Sequence, residues 1–132
     1  MKLNTTSQYA IRVMTYIAKD EKELHSSKEI SEALSIPYKS LARIITQLVA
    51  GNLVSSSRGR EGGIRIEKDY SEIKLSEILE AVKEEMLDTR CILGLGVCTP
   101  NNRCSLHDQW ATPKVSMLRM FQDTTLEEMI HR

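Results

Sequence analysis

Three cysteines and a histidine stand close together in the 132-residue chain as Cys91-x6-Cys98-x5-Cys104-x2-His107. Three thiolates and an imidazole form a donor set for a soft or borderline metal, and Gly94 and Gly96 let the intervening chain wrap around it. An odd number of cysteines in a chain read as cytosolic does not suggest a disulfide framework. A zinc knuckle needs closely spaced cysteine pairs that chelate one ion from one tight turn. Gaps of six and five residues are too wide for that and favour a larger object, an iron–sulfur cluster. On the residues alone, a zinc-stabilised loop and a thiol switch that closes disulfides on oxidation stay open as alternatives. A single cysteine is more often a small buried hydrophobe, but three in a polar Gly/Asn-rich loop fit that poorly. His107 is the weakest member, because one histidine near a helix start can simply be exposed.

The elements that must position this loop are mostly helical. Ala10, Val13, Met14 and Ile17 recur at helical spacing behind Thr5 and Thr6, and the charges from Asp20 to Glu23 close that helix. Ser26-Ser27-Lys28-Glu29 has the form of a capping box, in which hydroxyl and carboxylate each satisfy a free backbone donor. The helix behind it is expected to bury Ile30, Ala33 and Leu34. After a break at Ser35-Ile36-Pro37, a third helix presents Leu41, Ile44, Ile45 and Leu48 on one face. Gly51 is expected to end it as a left-handed cap. Two short helices joined by a tight break, the second with a polar outer face, form a helix-turn-helix.

A hairpin follows. Leu53 to Ser57 reads as a strand, Arg58 to Gly63 as a glycine-rich turn and Ile64 to Ile66 as the returning strand. Arg58, Arg60 and Arg65 make this hairpin cationic, and a wing after a recognition helix can set guanidinium groups against phosphates or in the minor groove. The plain alternative is a solvated hairpin. Leu75, Ile78, Leu79 and Val82 mark a fourth helix. Periodicity then lapses through the cysteine loop and resumes near Leu106, with Trp110, Met117, Leu118 and Phe121 on one side. Pro113 either kinks this helix or marks a start after Thr112. Thr125-Leu126-Glu127-Glu128 repeats the capping-box form ahead of a short last helix carrying Leu126, Met129 and Ile130. The Trp110–Phe121 stripe needs a covering surface, and a two-fold partner chain is expected to supply it, with packing inside the monomer as the alternative.

Composition agrees with a regulator rather than an enzyme. The net charge is zero, yet residues 1–68 hold 11 Lys/Arg against 7 Asp/Glu, and residues 69–132 hold the reverse, 7 against 11. A front half at +4 and a back half at −4 suit a polyanion partner for the first only. No nucleophile elbow, phosphate-cradling loop or paired-carboxylate site occurs, so no enzymatic activity is expected. No apolar run reaches the ~20 residues of a membrane span, and MKLNTTSQYA lacks an apolar secretory core, so the expected location is the cytoplasm.

Four stretches together resemble one family: MKLNTTSQYAIRVMTYIA, IPYKSLARIITQL, RGREGGIRI and TRCILGLGVCTPNNRCSLHDQW. In this order they are similar to the iron–sulfur winged-helix transcription regulators, the IscR/NsrR-like repressors, over nearly the whole chain. The resemblance implies a homodimer with a dimerisation helix and a cluster that sets DNA affinity. It places the cysteine ligands on Cys91, Cys98 and Cys104 and a histidine ligand on His107. It also places recognition-helix contacts on Lys39, Ser40 and Arg43 and a wing contact on Arg58. The first cysteine gap is one residue longer than in the cluster-assembly type, which leaves 2Fe–2S and 4Fe–4S both open. Nitric-oxide sensors of the family can take an aspartate from the partner's first helix, where this chain has Gln8, a poor iron ligand.

The expected fold is mainly α with a small β-hairpin wing: a winged helix-turn-helix over residues 1–85, a cluster-binding loop over 86–107, and a dimerisation helix with a C-terminal helix over 108–132. The expected DNA-facing set is Tyr38, Lys39, Ser40, Arg43, Arg58, Arg60 and Arg65, and the expected metal set is Cys91, Cys98, Cys104 and His107. The partner is a double-stranded DNA operator.

Overall fold

The structure is a computed structural model that describes residues 2–20, 22–60, 62–85, 91–96 and 99–131. Helix α1 spans Thr5–Lys19 and is capped by Asn4, whose side chain accepts from the Ser7 N–H at 2.8 Å. It buries Ala10, Val13, Met14 and Ile17, the stripe expected from the spacing, and adds Ser7. Helix α2 spans Ser27–Leu34, with Ser26 accepting from the Glu29 N–H at 3.0 Å. Only Ile30 of its expected face is fully buried. Ala33 is exposed and Leu34 half-buried, while Ile36, just after the left-handed Ser35, is buried in the core.

Helix α3 spans Tyr38–Ala50, with Pro37 at its N-cap and Leu41, Ile44, Ile45 and Leu48 buried. Gly51 does not adopt the expected left-handed conformation. Its φ is −84°, and Asn52 carries the positive φ. A Cβ on Gly51 would lie 3.0 Å from the Ala81 Cβ, so glycine here permits close approach of α3 to the next helix.

The wing is an antiparallel pair, β1 (Ser55–Ser57) and β2 (Gly63–Arg65), in the register Ser55↔Arg65, Ser56↔Ile64 and Ser57↔Gly63. Gly62 closes the turn where a Cβ would sit 2.3 Å from the Ser57 carbonyl oxygen. The free edge of β2 is paired rather than bare. His25 and Ile64 exchange backbone bonds of 3.0 and 2.7 Å, so the α1–α2 connection acts as a short third strand.

The His25 ring is buried under this contact. Its Nδ1 lies 2.7 Å from Glu29 Oε2 and its Nε2 lies 3.2 Å from the Lys22 carbonyl oxygen. Tyr16 donates to the same Glu29 oxygen at 3.0 Å, and Lys22 Nζ sits 3.5 Å from the other. Glu29 therefore serves this network rather than returning to the Ser26 backbone, so the reciprocal half of the expected capping box does not form.

Helix α4 spans Leu75–Ala81 and, with Val82, buries Leu75, Ile78 and Leu79. Helix α5 spans His107–Asp123 as one helix with Pro113 inside it, so the start after Thr112 does not occur. Helix α6 spans Leu126–Ile130, with Thr125 accepting from the Glu128 N–H at 3.1 Å. The Leu126 N–H bonds to Ile73 O and the Leu75 N–H to Thr124 O, each at 2.8 Å, and Leu126 enters the main core beside α1. Phe121 is buried against Leu75 and Leu79, with Met117 and Leu118 half-buried there. The C-terminal end of the stripe is thus covered by its own chain. Leu106, Val115 and Met120 remain exposed.

The hydrogen bond from His25, helped by Tyr16 and Lys22, holds the Glu29 carboxyl below the ordinary glutamate value of 4.5 against the opposing effect of burial. A depressed carboxyl contributes stability above its unfolded value and loses it as pH falls through its folded one. The urea midpoint of the wild type is therefore expected to drop more steeply than that of Glu29→Gln as pH falls below 4.5. Parallel curves for the two proteins would remove Glu29 from the acid response.

Candidate nucleic-acid interface and cysteine loop

With its inner face committed to the core, α3 leaves a polar face outward. Tyr38 is 60% exposed, Lys39 and Arg43 are exposed and Ser40 is half-buried, all within the first turns. An exposed tyrosine and two cations at a helix start suit a groove, where N-terminal residues of a recognition helix reach base edges. Arg58 and Arg60 are exposed at the wing tip, beside Gly59 at φ 104°, whose Cβ position meets nothing within 4 Å.

Arg65 is placed differently. Its Nη2 lies 2.9 Å and its Nε 3.1 Å from Glu67 Oε1, which also accepts from Ser55 Oγ at 3.2 Å. Arg65, Ser55 and a cis-acting carboxylate thus form a local set on the wing edge. The pair is exposed, so it biases Arg65 away from a phosphate without removing it. Sequence reading missed Glu67. The signal was present, since residues two apart on an extended strand point the same way.

The cysteine loop is built by backbone turns rather than by apolar packing. The Cys91 N–H bonds to Gly96 O at 2.7 Å and the Gly94 N–H to Cys91 O at 2.9 Å, closing a small ring in which Gly94 and Gly96 hold positive φ. The Leu93 N–H points at Cys91 Sγ at 3.4 Å. Backbone bonds from Leu95 and then Leu93, joined by the Cys104 side chain and the Gly94 amide, hold the Cys91 thiol below its ordinary value despite burial.

Cys91 and Cys104 are thereby brought together across the loop, Cys91 buried and Cys104 half-buried. Cys98 lies outside the described residues, as do Asp88 and the other residues just before Cys91. His107 opens α5 half-buried, and its N–H bonds to Cys104 O at 3.1 Å. A cysteine sulfur held among N–H donors, a second thiol on it and an imidazole one turn away fit an iron–sulfur centre, whose thiolates are tuned by such bonds. Ile92, Leu93 and Leu95 line the loop as exposed apolar side chains.

Asp20, His25 and Glu29 form a second group with metal-ligand atoms, all within 4.8 Å of one another. Both His25 nitrogens already face Glu29 and Lys22, and the Lys22 ammonium partly neutralises Glu29. The group reads as the polar anchor of the wing. No described helix is long and apolar enough to cross a membrane.

The family model described as "Rrf2: Iron-dependent Transcriptional regulator" matches residues 3–132. The HTH-type transcriptional regulator IscR of Photorhabdus laumondii is 32% identical over 99% of this chain and 80% of its own length. The regulator NsrR of Oceanobacillus iheyensis is 29% identical over 98% of this chain and 90% of its own. Among solved structures, CymR, the global cysteine regulator of B. subtilis, superposes with a TM-score of 0.82 at 19% identity, covering 99% of this chain and 97% of that one. IscR of T. potens gives 0.75 at 22% identity over 99% and 87%. These folds share the helical body and two-stranded wing, and the curated relatives are transcriptional regulators rather than enzymes. The chain belongs to the Rrf2 family of winged-helix transcriptional regulators.

Proposed function

We propose that the chain is a cytoplasmic, homodimeric repressor whose operator affinity is set by an iron–sulfur cluster held by Cys91, Cys98, Cys104 and His107. The observation that carries this is the meeting of Cys91 and Cys104 in an amide-rich loop directly before His107. Both 2Fe–2S and 4Fe–4S centres are compatible with the donor set. Bound there, a cluster supplies iron that exchanges electrons and reacts with nitric oxide. In this reading residues 1–85 bind DNA, 86–107 hold the sensor, and 108–132 join two chains through the exposed part of α5 and close on the core with α6. Tyr38, Lys39, Ser40 and Arg43 enter the major groove, while Arg58 and Arg60 hold phosphates or the minor groove and Arg65 contributes less.

A second reading is favoured by the same Cys91–Cys104 contact. The two thiols would form a disulfide by giving two protons and two electrons to hydrogen peroxide, which leaves as two waters. One solved relative in this fold is the oxidized form of Staphylococcus aureus CymR.

Three measurements check the proposal. Protein purified without oxygen and reconstituted with iron and sulfide is expected to be brown, with matched iron and sulfide that Cys104→Ser loses. A colourless, iron-free product would leave the thiol switch, identified by a Cys91–Cys104 disulfide after peroxide treatment. In DNA-binding titrations, Arg58→Ala is expected to lower the slope of log K against log salt by ~0.9, and Arg65→Ala by less. An unchanged slope for Arg58→Ala would take the wing off the DNA. In sedimentation, Val115→Glu is expected to weaken dimerisation by about tenfold or more, since a charge would enter an apolar interface; unchanged assembly would place the dimer contact elsewhere.

A further inference from the structure

The exit from α4 holds a buried acidic side chain that none of these roles uses. Lys83 sits in the left-handed region at φ 58°, a conformation that glycine usually supplies after a helix. Its N–H bonds to Glu80 O at 3.1 Å, and the Glu84 N–H bonds to Leu79 O at 2.9 Å. The turn carries Glu84 back beneath the first turn of α1, where it is 5% exposed.

Its carboxylate accepts from Ser7 Oγ and from the Asn4 N–H, at 3.4 and 3.3 Å to its two oxygens. Ser7 is fully buried, and its own N–H is taken by the Asn4 side chain. Among the described ion pairs no cation faces Glu84. Its oxygens are met by donors at the N-terminal end of α1. Burying a polar side chain is a poor way to fill space, and an apolar one would hold α4 to α1 at lower cost. What the carboxylate adds is direction, because its bonds hold in one arrangement and fail in others.

Its place in the chain says what that direction is for. Glu84 precedes Cys91 by seven positions and is the last buried side chain among the described residues before the cysteine loop. On its other side, α1 packs against α3 through the shared core. We infer that Glu84 is a positioning residue that passes a change in the cysteine loop to α1, and through α1 to the DNA-contacting face of α3. The inference rests on the reading of α3 as the DNA-contacting helix and on a responsive cysteine loop, but not on the loop's occupant.

The test therefore perturbs the loop in two ways, by iron and sulfide loading and, separately, by N-ethylmaleimide alkylation of metal-free protein. Affinity is read by fluorescence anisotropy on a labelled duplex that the wild type has selected from a random pool. Wild type is expected to shift its Kd by about tenfold or more under at least one treatment. Glu84→Gln, with its circular dichroism spectrum unchanged, is expected to respond by less than about twofold, and hydrogen exchange in the first turn of α1 should rise. Ser7→Ala removes one donor and serves where Glu84→Gln does not fold, with the same expected loss of response. Variants that respond like wild type, or a wild type whose affinity neither treatment changes, would overturn the joint. A wild type that fails to load iron yet responds to alkylation sinks only the cluster, and one that selects no duplex sinks the DNA-binding reading as well.

Discussion

The apolar stripe of α1 is the constraint on which the other elements depend. Ala10, Val13 and Met14 are fully buried, with Ile17 nearly so, and α2, α3, α4 and α6 all pack against the same helix. A chain of this length supports one compact core, so an element that does not reach α1 has little apolar surface on which to settle. The wing reaches it indirectly, through Ile64 and the His25 backbone. The lower half of α5 does so through Leu75, Leu79 and the neighbouring Ile11. None of the described residues of the cysteine loop joins that core, and their backbone turns centre on Gly94 and Gly96.

What could be read from the sequence follows from this. Where burial is set by spacing, as at Leu41, Ile44, Ile45 and Leu48, the period alone names the inner face and leaves Lys39 and Arg43 outside. Ser26 and Thr125 were legible as caps because the bond each makes is local. The misses share another cause. Glu29 abandons the capping box for His25, and Gly51 is small because of Ala81. Each outcome depends on a neighbour that only the folded chain supplies. Glu84 and Ser7, 77 residues apart, lie further beyond the reach of periodicity. The cysteine constellation was legible by residue type and spacing, whereas the meeting of Cys91 with Cys104 was not.

A rigid reader and a weakly packed sensor are physically complementary. Groove recognition needs side chains held to within a fraction of an ångström, which the packed inner face of α3 provides. A site that responds to a ligand needs alternatives close in free energy, which a core helix with many buried contacts lacks. The loop can have them, because fixing its backbone costs about 1–2 kcal/mol per residue and few apolar contacts offset that cost.

Such a loop moves nothing beyond itself unless a stiff element distinguishes its states, since a ligand shifts an equilibrium only by its differential affinity. Two routes leave the cysteine loop. Through His107 it enters α5, whose first turns expose Leu106 and whose far end packs on α4. The proposed second route runs through Glu84, which is bonded to the start of α1. In the proposed homodimer the first route would act at a distance, by changing how two chains sit together and hence the spacing of their half-sites. The second stays within one chain and needs no rearrangement of a dimer, only a changed set of bonds at one carboxylate. On that proposal α1, bonded at its N-terminal turn to Glu84 and packed against α3, would act as a lever, and a small displacement at Asn4 and Ser7 would reach α3 as a tilt.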